Sequence, residues 1–312
     1  MDKITSYTPT EVAEILKISR FTVYEMIKRG DLLAYRIGRK MRIENDDLEK
    51  YQMKSHQTFP DTPTVVKKSN FNFTSLNQDT LILCGQDVIL DILTRHLRRK
   101  LPNINFLRNY VGSIEGLLSL YKGTANAVTA HLWDRDTNTY NTPYVRRLLP
   151  GHSTMIINLA YRIEGFYVAK GNPKLITAWQ DLIRPDVRLV NRECGAGARV
   201  LLDESLRLHN LDYEAIIGYE HEELSHLAVA SCVARSEADV GVGIEKVAMQ
   251  VQDIDFISLQ KERYDLVIRK EDVKKLQFEV LLAILKSKEF RKEIAGIGGY
   301  DVTNTGEIMA ET

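Results

Sequence analysis

Two sets of residues have the types and spacing to do chemistry, and the chemistries differ. The first set is cationic. Between Lys17 and Ile43 stand Lys17, Arg20, Lys28, Arg29, Arg36, Arg39, Lys40 and Arg42, opposed by Glu25 and Asp31 alone. The whole chain has 42 basic and 42 acidic residues, so this excess is a local patch and not a general bias. Such a patch supplies salt-dependent affinity for the phosphates of double-stranded DNA. The second set is small and mostly uncharged. Gly85-Gln86, Gly112-Ser113 and Gly195-Ala196-Gly197-Ala198 each follow an apolar run and precede a helical pattern, and Ser225-His226-Leu227 is a fourth candidate. Small residues let the backbone approach a ligand, and helix starts present N–H groups at a positive dipole end. If these starts converge, they form a cage of donors for a small, anionic ligand. Ser113 would add a hydroxyl, and Arg192 or Arg199 a charge.

Other side chains have a plain reading beside a functional one. Asp87 reads as a helix cap; facing a pocket, it would ask for a ligand with a positive group. His131 and His226 either line the pocket or are ordinary surface or core residues. Tyr264 sits where it could reach a ligand. Trp133 and Trp179 read as packing. Cys84, His131 and His226 lack the close spacing of metal ligands, although the fold could still make them neighbours; no metal site and no cofactor are expected. There is no Walker-type loop, no GxSxG, no HExxH and no legible carboxylate pair, so catalysis is not expected.

The elements that must position the cations are short. Thr8-Pro9-Thr10-Glu11 is a helix start with a capping box, and Val12, Ile15 and Leu16 recur at helical spacing. Ser19 caps a second helix over Arg20 to Arg29, closed by Gly30. Val23 and Ile27 face its core, which leaves Arg20, Thr22, Tyr24 and Lys28 to meet a major groove. Strands at 33–37 and 40–43 flank Gly38-Arg39, and Asn45 or Asp46 caps a third helix through Tyr51. This is a winged helix-turn-helix over residues 1–54. Residues 55–78, rich in Lys, Ser, Thr, Asn and Pro, read as a linker.

From residue 79 the pattern alternates strand and helix, the signature of an α/β fold. Strands fall at 80–84, 105–110 and 125–132, and a long strand-like crossing at 155–168. A second alternating unit follows, with a helix from Glu223 to Arg235. A strand at 256–259 is followed by one at 264–268 that runs back, then by helices at 274–287 and 289–295, and residues 301–312 read as a loose tail. The expectation is a two-lobed domain over 79–300, with lobe 1 at about 79–160 and 265–300 and lobe 2 at about 161–264. A ligand would bind between the lobes, at the carboxyl ends of the strands.

Length and composition bound the rest. A chain of 312 residues suggests two or three domains, and 44% apolar with 27% charged residues is ordinary for a folded protein. Met1 to Thr8 has no apolar core of a signal peptide, and no apolar run is long enough to span a bilayer, so no membrane partner is expected. Cys84, Cys194 and Cys232 are odd in number and far apart, which reads as reduced thiols in a cytoplasmic protein.

The segment SRFTVYEMIKRGDLLAYRIGRKMRI resembles the excisionase and MerR-type winged helix-turn-helix domains. That resemblance implies that Arg20, Thr22 and Tyr24 touch bases or phosphates and that Arg36, Arg39 and Arg42 hold the DNA backbone. The segments VGSIEGLLSLYKG, YNTPYVRRLLPG, VNRECGAGARVLLD, SHLAVASCVARSEADVGVGI and RYDLVI resemble the type II periplasmic-binding-protein superfamily, and more narrowly its molybdate- and tungstate-binding branch. Ala196 and Ala198 stand where that branch has Ser and Thr, which leaves backbone N–H groups to serve in place of two hydroxyls. Together the resemblances imply a cytoplasmic, homodimeric one-component transcription regulator. It would sense a small ligand, an oxyanion such as molybdate or tungstate; the alternatives are a small organic ligand or an enzyme of the same fold.

Overall fold

The structure, a computed structural model, describes residues 6–16, 20–29, 32–37, 40–48, 51 and 80–312. Ser19, Gly30, Gly38, Arg39 and the expected linker at 55–78 lie outside the described residues. The chain divides into two units, residues 1–71 and 72–312.

In the first unit, β1 (Ser6–Tyr7), α1 (Pro9–Leu16), α2 (Arg20–Arg29), β2 (Tyr35–Ile37) and β3 (Lys40–Glu44) follow in order. The strands form an antiparallel sheet in the order β1-β3-β2. A further helical turn occupies 45–48. The capping box that starts α1 is present. The Thr8 N–H donates to Glu11 Oε2 at 2.6 Å, and the Glu11 N–H donates to Thr8 Oγ1 at 3.3 Å. Val12, Ala13, Val23, Met26, Leu32, Ile43 and Leu48 form the core. Ile15 is 44% exposed, although its spacing suggested the buried face. The face centres on Pro9, Val12, Ala13 and Leu16, and at about 100° per residue Ile15 is turned about 110° away.

The second unit opens with β4 (Thr80–Cys84), α3 (Val88–Lys100), β5 (Asn105–Asn109), α4 (Ser113–Tyr121) and β6 (Ala127–Ala130). The three strands are parallel, with β4 between the other two. The hairpin β7 (Trp133–Asp134) and β8 (Thr139–Tyr140) and helix α5 (Thr142–Leu148) lead into β9 (Thr154–Ala169). Then come β10 (Leu189–Arg192), α6 (Gly197–His209), β11 (Glu222–Glu223), α7 (His226–Ala234), β12 (Val240–Ile244) and α8 (Glu245–Ala248). The chain closes with β13 (Ile254–Arg269), α9 (Leu276–Lys286), α10 (Lys288–Gly296) and β14 (Ile308–Glu311). One sheet runs β11-β10-β12-β9-β13-β6-β4-β5, with β14 also on β9.

Strands β9 and β13 make two lobes from this sheet. The end of β9 pairs with β12, and the end of β13 pairs with β6. Each strand therefore belongs to both lobes. One core holds Leu83, Leu93, Leu266 and Phe278; another holds Phe166, Leu189, Leu201 and Val240. Each such fully buried side chain stabilises the fold by about 1.5–3 kcal/mol relative to exposure.

Three expectations need correction. The segments at 256–259 and 264–268 do not run back on each other; both belong to β13, paired along its length with β9 and with irregularities between Ser258 and Gln260 and between Tyr264 and Asp265. The polar run Gln260-Lys261-Glu262-Arg263 looks like a turn in sequence. It stays in the strand because Glu262 lies opposite Arg162 and is buried with it. Residues 301–312 are not a loose tail. Strand β14 pairs with β9, and the Gly306 N–H donates to the Asn158 carbonyl at 2.8 Å. A partner more than a hundred residues earlier satisfies this backbone, and no local pattern reveals it. Helix α7 starts at His226, not Glu223, because Ser225 Oγ caps it by accepting from the Ala228 N–H at 3.1 Å.

Candidate functional site

The four small-residue helix starts meet. A cleft of about 440 Å³ is lined at Gly85–Val88 before and into α3, at Tyr110–Ser113 into α4, at Ala196–Gly197 into α6 and at Leu224–Leu227 into α7. Thr129, His131, Arg162, Arg192, Ile244, Lys246, Val247, Gln250, Tyr264 and Tyr300 complete the lining. Two glycines are required by space. A Cβ on Gly85, whose φ is +138°, would lie 2.0 Å from Thr129 Oγ1, and one on Gly197 would lie 2.3 Å from the His131 ring. Four helix ends aimed at one space add their dipoles and N–H groups there.

The floor is a buried charge network centred on Arg162. Its Nη1 donates to Asp87 Oδ2 at 2.5 Å, and its Nε donates to Glu262 Oε1. Its Cζ stacks 4.1 Å from the Tyr264 ring centroid. Glu262 Oε2 is 2.7 Å from His131 Nδ1. Asp87 also takes the Tyr300 hydroxyl at 2.9 Å and caps α3 by accepting the Ile89 N–H at 2.8 Å. Asp87 is thus a helix cap that also lines the cleft, with Arg162 as its counter-ion. Tyr264 donates its hydroxyl to Thr129 Oγ1 at 2.9 Å.

Burial opposes charge on every member, and partners decide the outcome. Burial works against the Arg162 cation, but Glu262 and then Asp87 outweigh it and hold the guanidinium charged. Burial would raise the Glu262 carboxyl, but Arg162 and His131 hold it well below the usual range. Among the described residues, Glu164 has no cation of its own. Burial, then the nearby Glu262 carboxylate, push its pKa well above the usual carboxylate range, which favours the protonated form. His226 is held neutral by burial and then by Arg192 and Arg162. Among the described residues, no hydrogen-bond partner reaches Arg162 Nη2 or His226 Nδ1.

The lobes touch at the cleft. The Ile114 N–H donates to the Gly195 carbonyl at 3.1 Å, and Arg192 Nη2 donates to Gln86 Oε1 at 2.9 Å. Arg192 is itself paired to Glu193 at 2.7 Å.

Of the residues singled out in sequence, Gly85, Gln86, Gly112, Ser113, His131, Arg192, Ala196, Gly197, His226, Leu227 and Tyr264 line the cleft. Gly195, Ala198 and Arg199 do not. Gly195 supports the mouth through its carbonyl, and Ala198 packs into a lobe core. Arg199 stacks 4.0 Å over Tyr219 and bonds to Asp203 and Glu222, each at 3.2 Å. Two residues along a helix from Gly197, it is turned about 200° from the cleft. Sequence reading missed Arg162, Glu164, Glu262 and Tyr300. One signal was available: Arg162 and Glu164 interrupt the apolar stretch IINLAYRIEGFYVA, and a charge inside a buried strand requires a partner. The partner's identity was not available. The fold gathers His131, Glu164 and Glu262 into a group with metal-ligand atom types, although Glu262 is engaged by Arg162 and His131.

In the first unit, Arg20, Thr22 and Tyr24 lie exposed on α2. The Arg20 Nη2 donates to the Tyr24 hydroxyl at 3.2 Å. Lys28 lies on α2, Arg36 on β2, and Lys40 and Arg42 on β3, with Arg42 half-buried; Arg39 lies outside the described residues. No described helix is long and apolar enough to cross a membrane.

A family model described as a PBP superfamily domain matches residues 94–286, and one described as a helix-turn-helix domain matches residues 6–56. YvgK, an uncharacterized protein of Bacillus subtilis (strain 168), is 39% identical over 312 residues, covering 100% of both chains. A protein from Clostridium perfringens described as a phosphate ABC-transporter substrate-binding protein, solved with bound phosphate, aligns with a TM-score of 0.52 and 16% identity over 71% of this chain and 98% of its own. EhuB in complex with hydroxyectoine aligns with a TM-score of 0.52 and 14% identity over 72% of this chain and 90% of its own. At those identities the two solved structures speak for the fold alone. The two-lobed architecture, the helix starts at its cleft and the family match agree: this chain belongs to the PBP superfamily and carries a helix-turn-helix domain ahead of its two-lobed domain.

Proposed function

We propose that this protein is a ligand-responsive transcription regulator of the cytoplasm. Its helix-turn-helix unit reads double-stranded DNA, and its cleft binds a small anion. The observation that carries the ligand class is the cleft floor. Arg162 Nη2 is a buried cationic donor without a partner among the described residues, in a cleft that four helix starts enter. An oxyanion would accept from that donor and from the helix N–H groups, and would remove the cost of leaving Arg162 Nη2 unpaired. Molybdate or tungstate is the compact form of such a ligand. Ala196 supplies no hydroxyl there, so the contact would come from backbone N–H groups and Ser113.

A second reading is favoured by size. A cleft of about 440 Å³ lies within the about 300–1,000 Å³ that take organic molecules. Its walls include Val88, Leu224, Leu227, Val247 and Tyr110. A small organic carboxylate would use the same donors and fill the remaining space. The phosphate and hydroxyectoine complexes illustrate that both kinds of ligand occur on this fold.

Ligand would act by favouring one arrangement of the lobes, as differential binding requires. A homodimer would let two recognition helices read two half-sites, which sedimentation of the full chain measures. The primary test is a thermal-shift panel with molybdate, tungstate, sulfate, phosphate, small carboxylates and amino acids. A ligand at 100 times its Kd should stabilise by about 2.7 kcal/mol. A rise confined to molybdate and tungstate supports the compact oxyanion, and a rise confined to carboxylates supports the organic anion. No rise with any anion overturns the anion reading.

A further inference from the structure

Lobe 2 carries a second side-chain cluster, distinct from the floor network. His221, Glu223 and Cys232 each bring one donor atom, and these atoms lie within 4.8 Å of one another. They are brought together by topology. Strand β11 pairs in parallel with β10, Glu223 opposite Arg192, and α7 then packs against β10 and β12. That path returns Cys232, near the end of α7, to the side of Glu223. The Cys232 Sγ lies 3.5 Å from Glu223 Oε1. A second carboxylate, Glu237, sits beside the thiol and pairs with Arg235 at 2.6 Å. Burial, together with those two carboxylates, pushes the thiol up to about 11. The carboxylates around the thiol favour a cation.

The donor set is one thiol sulfur, one imidazole nitrogen and carboxylate oxygen. Hard cations such as Mg²⁺ avoid sulfur, whereas Zn²⁺ takes all three donor types. We propose that His221, Glu223 and Cys232 form a binding site for a divalent cation of the Zn²⁺ class. On binding, the Cys232 S–H bond breaks, its proton leaves to solvent, and the sulfur electron pair bonds to the cation with no change in oxidation state. Bonds of about 2.0–2.3 Å place tetrahedral ligand atoms about 3.3–3.8 Å apart. The exposed His221 ring supplies the remaining movement by rotation. Arg235, whose Nη2 lies 3.6 Å from Sγ and whose side chain is 53% exposed, swings out to make room.

The site has a route to the cleft. The Glu223 carbonyl accepts from Arg192 Nε at 3.2 Å, and the Leu224 carbonyl accepts from Arg192 Nη2 at 3.3 Å. The segment between Glu223 and Cys232 contains Leu224–Leu227, which form one cleft wall. A cation would join the two ends of that segment and restrain the wall.

The test uses the full chain, reduced and freed of metal by chelator. Co²⁺ is titrated while the near-ultraviolet thiolate-to-cobalt charge-transfer band is followed, and Zn²⁺ is then added to displace it. The expected result is a saturable band that Zn²⁺ removes. His221→Ala and Cys232→Ser should each lose the band and weaken Zn²⁺ binding by at least the roughly 10–100-fold that even outer partners of metal sites contribute. Cys194→Ser, which alters the exposed thiol, should keep both. His221 is exposed, so His221→Ala should keep the wild-type melting temperature and carries the test alone if Cys232→Ser fails to fold. No band in the wild type overturns the site. So does a band that survives His221→Ala, or one that disappears in Cys194→Ser.

Discussion

The two units place their charge in opposite ways. In the helix-turn-helix unit, Arg20 is exposed and no carboxylate is paired with it among the described residues. In the cleft, Arg162, Asp87 and Glu262 are buried, and Arg162 is paired with both carboxylates. The exposed kind is screened by salt, with a Debye length of about 8–10 Å at physiological ionic strength. The buried kind is scarcely screened, and its state is set by protons and partners. The difference teaches where to press each unit: salt should tune the first, and pH or a lost partner should tune the second.

The largest effect should come from Arg162→Ala. It leaves Asp87 and Glu262 as buried negative charges, and breaking a buried network of this kind costs about 3–5 kcal/mol. Urea unfolding should show it, and adding Glu262→Gln should recover part of the loss. A cost below about 1 kcal/mol would mean that the floor is not held by charge compensation.

Gly197→Val addresses the cleft alone. Its Cβ would meet the His131 ring at 2.3 Å, so the ring or the helix start must shift into the ligand space. The ligand-induced stabilisation of about 2.7 kcal/mol at 100 times Kd should vanish from the thermal-shift panel. Normal ligand binding by the variant would remove the α6 start from the site.

Arg36→Ala combined with Arg39→Ala tests the cationic patch of the first unit. Each lost phosphate contact should lower the slope of log K against log salt by about 0.9, or about 1.8 for both. A gel-shift series across salt reads this directly, and an unchanged slope takes the wing out of the DNA interface.

The subtlest expectation is a change in pH dependence. The folded pKa of Glu164 lies above its unfolded value of about 4.3, so the folded state holds the extra proton. Its contribution is present below that value and is lost as pH rises toward the folded pKa. Glu164→Gln keeps the shape without the titration. Its melting temperature should therefore gain on the wild type from about pH 5 upward. Parallel curves across that window would mean that Glu164 is ionised in the fold.

Legibility followed the range of the interactions. The Thr8–Glu11 box spans three residues and was readable, as were the small-residue starts of α3, α4 and α6. The floor was not. Arg162 meets Asp87 across 75 residues and Glu262 across 100, and Tyr300 meets Asp87 across 213. Arg199 shows the converse error. It stands in a motif that points to the ligand, but helical rotation turns it onto Tyr219.

By itself the sequence determined the local devices: where helices start, which positions admit only small residues, and where cations collect. Those properties depend on neighbours within about one turn or one strand, through sterics and backbone hydrogen bonding. The tertiary structure alone decided which charges are buried together, which helix starts share a cleft, and that the last strand closes on β9. Each of these pairs groups distant in the chain, and the energy of a buried charge depends on what is opposite it rather than on what is beside it in sequence.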